Sequence, residues 1–143
     1  MPRIKIVLPK HEIGHIAIPI RIYDINYGNH VGNDAFVSII HEARMQWLKL
    51  HGYTEMNFAG TGLIMSDIAI EFKQEVLYGD TIFIKIYAGE IAWVSFELYY
   101  ELSVQRNNIT YIVAKAKTGL VCYDYANKKK VSVPDTARQF LIN

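Results

Sequence analysis

Residues 23–44 read YDINYGNHVGNDAFVSIIHEAR. One periodicity ends in this stretch and another begins. Upstream, Ile16, Ile18, Ile20 and Ile22 alternate with Ala17, Pro19, Arg21 and Tyr23, the period of a half-buried β-strand. Pro19 cannot donate to a ladder, so that strand is expected at a sheet edge. Downstream, Phe36, Ile40, Ala43, Trp47 and Leu50 recur at spacings of four and three, which predicts one long amphipathic helix over about 33–51. Asn26 to Gly32, with its two asparagines and two glycines, is a turn-forming loop. Asn33 stands where an N-cap is expected, Asp34 in the first turn complements the helix dipole, and Gly52 marks the far end.

Working outward, the remaining segments read as strands. Ile64, Ile68, Ile70 and Phe72 align in a strand over about 63–76, and Leu77 to Asp80 is a turn. Ile82, Ile84 and Ile86 align over about 81–89, and Val94 to Val104 alternate over about 92–106. Arg106-Asn107-Asn108 is a hairpin turn. A last strand over about 110–124 places small Ala114 and Ala116 where a helix can pack close. Pro134-Asp135 opens a short helix over about 135–141. The order is strand, long helix, four strands, short helix. That predicts an α+β fold with a five-stranded antiparallel sheet covered by one helix. At 143 residues, 1–143 is read as a single domain.

Composition removes several function classes. A net charge of +1 gives no electrostatic reason for nucleic acid or a membrane surface as partner. Lys128 to Lys130 reads as a solvated turn. Cys122 is the only cysteine, so no internal disulfide forms, and its apolar surroundings make it a core thiol. Pro2 and Pro9 break the N-terminal segment, and no apolar run approaches the ~20 residues of a membrane span. The expectation is a soluble cytoplasmic protein. His11-Glu12-Ile13-Gly14-His15 matches the zinc-protease string, but that chemistry needs both histidines on one helix face. Gly14 and the strand alternation that follows oppose a helix, so zinc hydrolysis is not expected.

Asp24-Ile25-Asn26-Tyr27-Gly28-Asn29-His30-Val31-Gly32-Asn33-Asp34-Ala35-Phe36, followed by His41-Glu42-Ala43-Arg44, resembles the hotdog-fold acyl-CoA thioesterases of the 4-hydroxybenzoyl-CoA thioesterase type. Their pattern runs Asp-Thr-Asp-x-x-Gly-His-Val-Asn-Asn-x-x-Tyr and then Glu-x-Ala-Arg. Gly79-Asp80, Ser95 and Val121 to Asp124 are weaker echoes. The resemblance spans about residues 14–135. It implies a curved sheet wrapped around the helix and a homodimer or homotetramer joined through sheet edges. It also implies a substrate that is an acyl-CoA or acyl-carrier-protein thioester, and neither metal nor cofactor. The catalytic position departs: the family's usual catalytic carboxylate falls on Asn26, an amide and a poor base. The Gly before His is also displaced, with Asn29 in its place, Gly28 one position earlier and Gly32 replacing an Asn.

Thioester hydrolysis needs a group to activate water, donors for the oxyanion and a groove for the acyl chain. Glu42, on the helix at the edge of its buried stripe, is the first candidate base. Asp24 is the second, on the same strand face as Asn26 and about 6–7 Å from it. Asn26 can polarise the carbonyl or position water, and His30 can brace the loop or move a proton. The helix start at Gly32, Asn33 and Asp34 offers backbone N–H donors. Tyr27, Asn29 and Phe36 are the candidate substrate contacts, and Arg44, Lys73 and Lys128 to Lys130 are cations available to CoA phosphates. The alternative function is a catalytically silent hotdog module that binds acyl-thioesters or serves assembly. A hotdog dehydratase ranks third, for want of a His/Asp pair in a second loop.

Overall fold

A computed structural model describes residues 3–143. The elements in order are β1 (Glu12–Pro19), a 3-10 turn (Ile22–Asp24), α1 (Asn33–Leu50), β2 (Gly62–Phe72), β3 (Thr81–Ile91), β4 (Ser95–Arg106), β5 (Ile109–Asp124), β6 (Lys129–Lys130) and α2 (Asp135–Ile142). The sheet is antiparallel in the order β1-β3-β4-β5-β2. The two-residue β6 adds to β5, extending the expected five strands to six. Pro19 is in an edge strand, as its missing N–H requires.

The inner face carries the alternation read from the sequence. Ile82, Ile84 and Ile86 of β3, Leu98, Tyr100 and Leu102 of β4, and Ala114 and Ala116 of β5 are all fully buried. They share one core with Phe36, Ile40, Ala43 and Trp47 of α1. A long helix lying on the inner face of one antiparallel sheet is the hotdog architecture. Cys122 belongs to the same core, and burial pushes its thiol up. Phe140 of α2 stacks on Trp47, with ring centroids 5.2 Å apart, and closes one end.

Four local expectations are corrected. The first strand does not run on to Tyr23. The Asp24 carboxylate accepts the Arg21 backbone N–H at 2.8 Å and the Arg21 guanidinium at 3.1 Å, and the chain winds into the 3-10 turn instead. Asp24 and Asn26 therefore do not share a strand face. The helix N-cap is Gly32 and not Asn33, with no side-chain capping bond. On α1, Leu50 is exposed, while Ile39, Arg44 and Leu48 join the buried set. β2 ends at Phe72 because the Lys73 and Gln74 N–H groups both turn to the Val113 carbonyl. A register shift between Met65 and Asp67 also breaks its alternation, leaving Ile64 and Met65 exposed.

Candidate functional site

Local hydrogen bonds fix the loop between the 3-10 turn and α1. Ile25 and Val31 form a bridge, and the Asn26 N–H donates to the His30 carbonyl at 2.9 Å. Asn29 takes a positive φ of 65°, which asparagine tolerates better than most residues. The Val31 N–H donates to the Val76 carbonyl at 2.8 Å, which ties the loop to the chain after β2. The Asn26 carboxamide oxygen accepts the Gly28 N–H at 2.9 Å. The carboxamide itself lies against Gly32. A β-carbon added at Gly32 would be 3.7 Å from Asn26 Nδ2 and 2.6 Å from Asp34 Oδ1. So the Asn26 amide and the Asp34 carboxylate both flank the helix start.

The donors at that start are not quite those expected. The Gly32 N–H is committed to the Asp24 carbonyl at 3.2 Å. The next three amides, Asn33, Asp34 and Ala35, precede the first intrahelical bond, which Phe36 donates to Gly32. No side chain caps them. Asn33 and Asp34 are exposed.

The other residues singled out from the sequence divide. His30 lies over Gly28, with Nδ1 3.1 Å from the Val31 carbonyl. It borders a hollow of about 210 Å3 with Asn33, Phe36, Phe72 and Lys73. Phe36 is buried, edge-on to Phe72 at 5.2 Å between centroids. Tyr27 and Asn29 are exposed. Asp24 is buried with both oxygens on Arg21. Glu42 is exposed beside the buried stripe and accepts from Gln46 Nε2 at 2.8 Å. Eight residues along α1, it stands about 12 Å beyond Asp34 by helix rise. His11-Glu12-Ile13-Gly14-His15 runs into β1, so its histidines do not meet on a helix face.

A second polar cluster was not anticipated as a unit. Glu55, in the loop after α1, accepts from Arg44 Nε at 2.8 Å and pairs with His41 Nε2 at 2.6 Å. Arg44 also donates to the Tyr100 hydroxyl at 3.3 Å, which pairs with Thr118 Oγ1 at 2.7 Å. Burial pulls the Glu55 carboxyl upward, but Arg44 and His41 outweigh it and hold it below the usual carboxylate range. Arg44 is thus a buried ion-pair partner and is not free to meet phosphate. The cluster borders a hollow of about 360 Å3 between α1 and β2. One signal for it was present: Arg44 falls four residues after Ile40 in the buried stripe and needs a counter-ion. Glu55 is the only acidic residue between 51 and 66.

Among the described residues no helix is long and apolar enough to cross a membrane. No described group of three or more His, Cys, Asp or Glu side chains is arranged to hold a metal ion.

Residues 20–141 match the family model described as the thioesterase-like superfamily. A curated relative from Nostoc punctiforme, 1,4-dihydroxy-2-naphthoyl-CoA hydrolase, is 28% identical over 108 residues, covering 73% of this chain and 70% of its own. Among solved structures, the 1,4-dihydroxy-2-naphthoyl-CoA thioesterase Slr0204 from Synechocystis superposes with a TM-score of 0.79 at 20% identity. That match covers 90% of this chain and 95% of the other. An aspartate-to-asparagine mutant of 4-hydroxybenzoyl-CoA thioesterase, complexed with 4-hydroxybenzoyl-CoA, gives 0.78 at 16% identity over 89% and 96% of the two chains. At these identities the two structures establish a shared fold.

Proposed function

Because the chain belongs to the thioesterase-like superfamily, we propose that it hydrolyses an acyl-CoA thioester to a carboxylic acid and free CoA. The observation that carries this reading is the uncapped helix start, where the Asn33, Asp34 and Ala35 N–H groups lie beside the Asn26 carboxamide. A thioester carbonyl placed there accepts from those donors, and they strengthen as its oxygen becomes negative. Asn26 Nδ2 adds a donor without a charge. Water must then lose a proton to a carboxylate. Asp34 is the carboxylate beside this point. Asp24 is engaged by Arg21, and Glu42 is two turns further along the helix. The solved relatives named for aromatic CoA thioesters support CoA as the thiol and an aryl acyl group. The edge strand β2, with Ile64 and Met65 exposed, is the surface through which two copies would join their sheets.

A second reading is favoured by Asn26 itself. Its oxygen is tied to the Gly28 N–H, and a module that lost its base would bind thioesters without cleaving them. Thiol release from a panel of acyl-CoAs separates the two. Wild type is expected to turn over at least one of them. Asp34→Asn should lower kcat by about 100-fold. Undiminished turnover in Asp34→Asn returns the role to Asp24 or Glu42, tested as Asp24→Asn and Glu42→Ala. No release from any thioester establishes the silent module.

A further inference from the structure

Gly32 has no conformational need to be glycine. Its φ of −71° and ψ of 155° are ordinary extended values that any residue adopts. Its hydrogen bonds are backbone ones: the N–H donates to the Asp24 carbonyl and the carbonyl accepts from Phe36. Nor is glycine the best N-cap, since serine, asparagine and aspartate accept from first-turn amides and stabilise the helix more. What a side chain would change is space. A β-carbon at Gly32 would be 2.6 Å from Asp34 Oδ1, inside van der Waals contact, and 3.5 Å from Asn26 Cβ. Helical side chains lean toward the N-terminus, and the Asp34 carboxylate folds back over residue 32 into that space.

The atom that would be displaced is the far end of a flexible side chain, whose χ1 has other staggered wells. An alanine at 32 therefore turns the carboxylate away rather than breaking the helix. A polar side chain would do more. Serine there would set its hydroxyl on the Asp34 or Ala35 N–H, amides that no side chain caps. Glycine leaves both the carboxylate's seat and the amides free. We propose that Gly32 is a positioning residue for the hydrolysis: its missing side chain seats the Asp34 carboxylate beside Asn26 and keeps the helix-start donors open to the thioester.

The kinetic role rests on the hydrolase reading with Asp34 as base, and the seat rests on geometry alone. Steady-state thiol release is compared for wild type, Gly32→Ala, Gly32→Ser, Asp34→Asn and the double variant Gly32→Ala with Asp34→Asn. Melting curves and a crystal structure of Gly32→Ala accompany it. Gly32→Ala is expected to lower kcat about 10- to 100-fold while KM changes less than about twofold. In the Asp34→Asn background the same change should cost under about twofold, because no carboxylate is left to misplace. Gly32→Ser should melt above Gly32→Ala and yet release thiol no faster, an order that a purely structural role for Gly32 would reverse. Wild-type kcat in Gly32→Ala, an equal loss with and without the Asp34 carboxylate, or faster release by Gly32→Ser than by Gly32→Ala would overturn the proposal. If the wild type releases no thiol, or Asp34→Asn releases it at the full rate, the hydrolase reading with Asp34 as base fails and the crystal structure decides the seat. A carboxylate displaced in Gly32→Ala upholds the seat, and one still beside Asn26 overturns it.

Discussion

Replacing Glu55 with alanine tests the buried ion cluster at its centre. Arg44 is 3% exposed and holds two partners, Glu55 at 2.8 Å and the Tyr100 hydroxyl at 3.3 Å. Without Glu55 the guanidinium stays in the core with one neutral acceptor. Removing one partner of a buried pair costs about 3–5 kcal/mol. The Glu55 side chain keeps 22% of its exposure, so water partly replaces it. That brings the expected loss to about 2–3 kcal/mol. For a chain of this size the melting temperature should then drop by about 5–10 °C. Urea titration followed by circular dichroism reads the free energy directly, with an unchanged slope expected. Glu55→Ala combined with Arg44→Met should be less destabilised than Glu55→Ala alone, because no unpaired charge remains. The pair also has a pH signature. The Glu55 carboxyl is held lower in the folded chain than in the unfolded one, so the folded state binds fewer protons. Its stabilisation is complete above the unfolded value and is lost as pH falls through the folded value. The acid limb of wild-type stability should therefore be steeper than that of Glu55→Ala. A single-mutant loss under about 0.5 kcal/mol, the size of an ordinary surface change, would refute the dependence of Arg44 on Glu55.

Two further substitutions probe the packing that positions the helix. A β-carbon at Gly14 would overlap the Trp47 indole, which is buried and donates to the Ile13 carbonyl at 3.2 Å. Gly14→Ala should cost about 1–3 kcal/mol of overpacking, read by thermal melting. Tyr100→Phe leaves Arg44 and Thr118 each one partner short in the core and should cost about 1–3 kcal/mol in urea titration.

What the sequence disclosed follows what its periodicities can carry. The inner faces of β3, β4 and β5 and the helix over Phe36 to Trp47 were legible because burial alone sets periods of two and 3.6. The turn at Ile22–Asp24 was not. The isoleucine alternation runs straight through it, and what bends the chain is a side-chain bond from Asp24 to Arg21. Leu50 fits the helical stripe yet is exposed, because a stripe does not say where a helix passes beyond its sheet. In the candidate site, the amides and Asn26 could be located from the loop-to-helix transition. The commitment of the Gly32 N–H to the Asp24 carbonyl could not, since it depends on how the loop closes. Glu55 escaped notice for the same reason. Its partners are 11 and 14 residues away, and only the buried Arg44 hinted at it.

The absence of a carboxylate at position 26 has a different weight once the helix start is seen. An aspartate there would share the space beside Gly32 with Asp34, and two carboxylates in one site oppose each other's ionisation. With Asn26 neutral, position 26 adds no carboxylate to oppose the ionisation of Asp34. Asp34 is also the second residue of the helix and does not cap it. Its carboxylate therefore leaves the Asn33, Asp34 and Ala35 amides open, where an aspartate at the cap would occupy one of them. On the proposed reading, base and oxyanion donors then act on one thioester together. This division of labour makes a sharp demand of Asn26→Asp. If Asp34 is the base, a second carboxylate at position 26 should shift the acid limb of the kcat profile upward rather than simply raise kcat. An unshifted profile with a large gain in kcat would mean that position 26, not Asp34, is where this fold wants its charge.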